Sequence, residues 1–158
     1  MPRGAGAAPV RMLGTHDGAG SRAAADSLRG YDRRVVGSEG GQAPEDFFAG
    51  HPVGLGCYRA VAEAVRGLGE VGVRVTKSQI AFRRRTGFAF VWRPGQYVRS
   101  EVPAVLSIAL PYEVASGRFK EVAHPAPHVW MHHIELREAG EVDDEVRGWL
   151  REAYDAAG

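Results

Sequence analysis

Ile80-Ala81-Phe82-Arg83-Arg84-Arg85-Thr86-Gly87-Phe88-Ala89-Phe90-Val91-Trp92 is the stretch whose reading decides the fold. Ile80 and Phe82 alternate with their neighbours at the period of two that a strand with one buried face requires. Arg85-Thr86-Gly87 reads as a turn, and Phe88 to Trp92 reads as the returning strand. Upstream, Val73 and Val75 alternate with Arg74 and Thr76. Downstream, Pro94-Gly95 is a further turn, and Val105 to Leu110 is short and apolar enough for a central strand that Pro111 ends. Phe119 to Val122 is a minor strand. His128 to Arg137 is the last, with Trp130, Ile134 and Leu136 on one face and His133, Glu135 and Arg137 on the other. Short links between successive strands favour an antiparallel meander of about five strands.

Helices flank this block. Pro44-Glu45-Asp46-Phe47-Phe48 is a short helical turn with proline and acids at its start. From His51-Pro52, the residues Leu55, Tyr58, Val61, Ala62, Val65 and Leu68 step by three and four, which gives one buried helix face stopped by Gly67 and Gly69. A final helix from about Val142 to Ala156 has Val142, Val146, Trp149, Leu150 and Tyr154 on one face and Asp143, Asp144 and Glu145 in its first turn. The expected fold class is α+β: N-terminal helices, an antiparallel meander and a C-terminal helix, with the helices packed on the sheet.

The whole chain bounds the function. Its 158 residues carry 20 Lys+Arg against 19 Asp+Glu, a net charge of +1, and 44% hydrophobic residues. This is an ordinary globular composition, without the bulk positive charge of a general nucleic-acid binder. The single cysteine, Cys57, excludes a disulfide framework, fits a cytoplasmic setting, and reads as a small buried hydrophobe. No apolar run approaches the roughly 20 residues that span a bilayer. Residues 1–43 hold nine Gly and eight Ala with scattered larger apolar side chains, and are expected to be a disordered tail before a single domain over 44–158.

Four groups of residues carry a resemblance: Phe47-Phe48-Ala49-Gly50-His51-Pro52; Val75-Thr76-Lys77-Ser78-Gln79-Ile80-Ala81-Phe82-Arg83-Arg84; Trp130-Met131-His132-His133-Ile134; and Asp143-Asp144-Glu145 followed by Trp149-Leu150-Arg151-Glu152-Ala153-Tyr154. Together they resemble the bacterial "domain of unknown function 5655" family over about residues 44–156. That family occurs as a lone small protein or as the C-terminal part of larger chains. The resemblance implies a fold unit and supplies no activity and no catalytic residues.

Two clusters could carry chemistry. From Val71 to Arg99 there are seven cations and no acid, interleaved with Phe82, Phe88, Phe90, Trp92 and Tyr97. A sheet face with arginines and aromatics can hold single-stranded nucleic acid or clamp a phosphate or carboxylate. The anion-binding candidates are Arg74, Lys77, Arg83, Arg85 and Arg93. Against this, the aromatics alternate as core residues do. The second cluster is histidine: His124, His128, His132 and His133, with Glu135. Alternation sends His132 and His133 to opposite faces, so one metal cannot easily take both. The residues point to a hydrogen-bonded, partly buried His132 and a surface His133, and no metal or cofactor is expected.

The favoured expectation is a non-catalytic binding module using its Arg-rich strand face for an anionic small molecule, an acidic protein surface or single-stranded nucleic acid, with no membrane partner. The alternative is a small enzyme whose His133, Glu135 and Lys77 share one pocket. No phosphate-binding GxxxxGK[ST], GxGxxG, HExxH or GxSxG pattern is present.

Overall fold

A computed structural model describes residues 41–158; the expected tail lies outside the described residues except for 41–43. Three helices, α1 (Pro44–Phe47), α2 (Pro52–Arg66) and α3 (Asp144–Ala156), flank six strands. The strands are β1 (Gly72–Val75), β2 (Ile80–Arg83), β3 (Gly87–Trp92), β4 (Ala104–Leu110), β5 (Glu121–Ala126) and β6 (Val129–Leu136). All pairings are antiparallel and the order across the sheet is β1-β2-β3-β4-β6-β5. The expected α+β architecture is therefore present, with six strands rather than five. The meander holds through β4, after which β6 takes the place beside β4 and β5 becomes the outer edge. The β4–β5 link, Pro111 to Lys120, is long enough to allow this.

The period-two pattern sorts the sheet into two faces. Ile80, Phe82, Val91, Leu106, Ile108, Ile134 and Leu136 share one core with Phe48, Tyr58, Val61 and Val65 at the α1–α2 end and Val146, Trp149 and Leu150 from α3. Helix burial at these spacings is the main source of stability, at roughly 1.5–3 kcal/mol for each large side chain fully removed from water. Close packing decides two local features. A methyl group at Gly54 of α2 would meet Phe48 and the Pro103 carbonyl at 2.8 Å, so only glycine lets this helix settle there. Gly50 has φ 77°, the left-handed turn that separates α1 from α2. Asp143 caps α3 by accepting from the Val146 N–H at 3.1 Å.

The second face carries Ala81, Phe90 and Met131 as a separate buried cluster, with Ala109 and Ala123 packed against it. Among the described residues, no helix contributes to that cluster.

At the start of α3, Asp143 and Glu145 take Arg118 of the β4–β5 loop, at 2.8 and 3.1 Å. Cys57 is buried, where desolvation pushes its thiol up, in keeping with a packing role.

Candidate functional site

Antiparallel register lines up one row across the second face: Arg74 opposite Ala81, then Phe90, Ser107, His133 and Glu121. Trp92 lies two residues beyond Phe90 on the same side. Its indole N–H donates to the Ser107 hydroxyl at 2.9 Å, and that hydroxyl is 2.6 Å from Nδ1 of His133. An indole can only donate, so Ser107 accepts from Trp92, and the same hydroxyl pairs with His133 Nδ1. Ser107 is fully buried and one of its lone pairs is occupied by Trp92, so the geometry makes it a support for the indole rather than a nucleophile.

The outer end of this face is exposed. Tyr97 packs edge-on to Trp92 with ring centroids 6.3 Å apart. Its hydroxyl donates to the Ser78 carbonyl at 3.3 Å, and the neighbouring Gln96 amide donates to the Lys77 carbonyl at 3.2 Å. The 3₁₀ turn Pro94–Gln96 is thus tied to the β1–β2 turn. That β1–β2 turn is itself rigid: the Thr76 hydroxyl accepts from the Gln79 N–H at 3.2 Å and lies 3.2 Å from the Ser78 hydroxyl. The result is a corner where an exposed Lys77, an exposed Tyr97 and a half-buried Trp92 sit on two linked turns.

The five anion-binding candidates do not form one cluster. Arg74 and Arg83 lie on the second face, on adjacent strands. Arg85 is beyond the β2 end, in the hairpin, where its N–H donates to the Ala157 carbonyl at 2.9 Å. Lys77 is at the opposite end of β2. Arg93 turns toward the helices, 2.8 Å from Nε2 of His51 and over the Phe47 ring. His133 and Glu135 share the second face, Glu135 beside Arg137 at 3.4 Å. Lys77 is three to four strands away from them, about 14–19 Å at the usual strand spacing. The three do not meet in one pocket.

His133 departs from its expected surface placement, and His132 is hydrogen-bonded as expected and fully buried. His133 is 4% exposed, against the expectation of a surface residue, because the second face of the sheet is buried at its centre. His132 is fully buried on the helix side. Its Nδ1–H donates to the Trp130 carbonyl at 3.0 Å, and its Nε2 accepts from the Val114 N–H at 2.9 Å. His124 stacks flat on Trp130 at 3.8 Å. Among the described residues, no group of three or more His, Cys, Asp or Glu is placed to hold a metal ion. None of the helices described there is long and apolar enough to cross a membrane.

Fold and surface together define a small α+β domain with helices on one sheet face and a basic, aromatic corner on the other. The chain belongs to the family described as Domain of unknown function (DUF5655), whose model matches residues 45–157. No curated protein and no solved structure matches it.

Ser107 and the Tyr97 corner are the parts that the sequence reading did not assemble. The available signal was a lone serine inside the apolar run Ala104 to Leu110, since a buried hydroxyl requires a partner.

Proposed function

We propose that the domain is a binding module whose ligand is a small anion carrying a flat ring, such as a nucleoside monophosphate, taken at the corner of Lys77, Trp92 and Tyr97. The observation that carries this reading is the Trp92–Tyr97 pair tied by hydrogen bonds to the turn that bears Lys77. Aromatic side chains fixed in advance lose little rotamer freedom when a ring stacks on them. Stacking on such a side chain contributes about 1–3 kcal/mol per base. Lys77 adds a cation for the phosphate.

The experiment is a thermal-shift titration of the full chain with adenosine monophosphate and with inorganic phosphate, at low and moderate salt. A ligand at about 100 times its dissociation constant adds roughly 2.7 kcal/mol to the folded state. The monophosphate is expected to stabilise the protein more than phosphate does. Tyr97→Ala should erase that difference, and Lys77→Gln should weaken both responses and flatten their salt dependence. Equal shifts with both ligands, or a monophosphate shift that survives Tyr97→Ala, would refute the site. No shift at all would refute the ligand class.

A further inference from the structure

The β4–β5 loop, Pro111 to Lys120, is held down at several points, among them the Tyr112 hydroxyl, which donates to Glu152 of α3, and the Lys120 N–H, which donates to the His133 carbonyl at 2.8 Å. Arg118 reaches Asp143 and Glu145 at the start of α3 and donates to the Glu141 carbonyl at 2.9 Å. Phe119 lies between His132 and Trp149, with centroids 4.7 and 4.6 Å away. A further point is the Val114 N–H, whose acceptor is Nε2 of His132. With Nδ1–H committed to the Trp130 carbonyl, that nitrogen is the only lone pair the ring can offer.

We propose that His132 is a proton-operated latch on this loop: the neutral ring holds Val114, and the protonated ring releases it. Protonation places a second N–H where the lone pair was, so two donors face each other in a fully buried position. The groups around the ring are few. Ile108 and Val122, its cross-strand partners on β4 and β5, are apolar. α3 presents Trp149 through Phe119. Among the described residues, Glu113 of the loop is the nearby charge that acts on the ring. Burial holds the imidazole below its ordinary range, while the Trp130 and Ile108 carbonyls and Glu113 pull the other way. Release frees the Val114 end of the loop, while Arg118 stays paired with Asp143 and Glu145 in both forms.

The test is amide hydrogen exchange of the full chain from about pH 7.5 to about pH 5, corrected for intrinsic exchange. Val114 protection is expected to fall by about tenfold or more while Leu106 in β4 stays protected. His132→Gln, which keeps a donor and an acceptor but cannot titrate, should hold Val114 protection constant. Should that variant fail to fold, nuclear magnetic resonance of the wild type decides: the Val114 amide shift must titrate together with the His132 ring. Unchanged Val114 protection, parallel loss at Leu106, an acid step that persists in His132→Gln, or separate titrations would overturn the latch.

Discussion

The Ser107 hydroxyl lies 2.6 Å from Nδ1 of His133 and takes the Trp92 indole proton on its other side. Three strands, β3, β4 and β6, are joined through this one oxygen on a sheet face to which no described helix contributes. Buried polar contacts of this kind are specific because each group left without its partner is costly.

Ser107→Ala therefore leaves both the Trp92 N–H and the His133 Nδ1 without their partner. The expected loss is about 1–3 kcal/mol for each stranded group that finds no water, read as a lower urea midpoint at unchanged slope. A midpoint equal to that of the wild type would mean the relay contributes nothing to stability.

Two glycines of α2 should respond in opposite directions. Gly54→Ala drives a methyl group into Phe48 and the Pro103 carbonyl at 2.8 Å, with a cost of about 1–3 kcal/mol. Gly56→Ala meets nothing within 4 Å and should gain up to about 1 kcal/mol of helix propensity. Thermal melts of the pair check this directly.

Stability should fall with acid in two windows. The folded His132 ring is held below its ordinary value of 6.5 by burial, so the unfolded chain binds a proton that the folded chain refuses. That contribution is complete above 6.5 and is lost as pH falls below it. Asp143 is held below its ordinary value of 3.8, chiefly by Arg118, so its contribution is present above 3.8 and is lost only in stronger acid. Denaturation at stepped pH should show the first loss in the wild type and not in His132→Gln.

Arg118→Lys should cost about 1 kcal/mol or less, because the contacts are partly exposed and screened. The ammonium cannot reach two carboxylates and the Glu141 carbonyl in one planar fork. The difference from wild type should shrink in high salt; a difference that grows would contradict an electrostatic origin.

The β2–β3 hairpin and α2 were legible because their apolar residues keep one period from end to end, and a period translates directly into a buried face. β5 was placed only in part. As an outer strand with Pro125 and a half-buried pattern, it has no alternation to read. Sheet order is a non-local property, so the sequence did not reveal that β6 would separate β5 from β4. Parity does separate Arg93 from its neighbour Trp92 and sends it toward Phe47, which a count of cations along the chain overlooks. His133 shows the same limit: alternation says which face a residue takes, and does not say that both faces are buried at the centre.

The reversed order of the last two strands fixes a sequence of events. β5 pairs only with β6, so when the ribosome has released β5 it still has nothing in the sheet to bind. The edge of β4 must stay open until β6 emerges, and β5 joins either as half of a β5–β6 hairpin or after β6 has docked. The chain cannot complete its sheet in the order in which it is made.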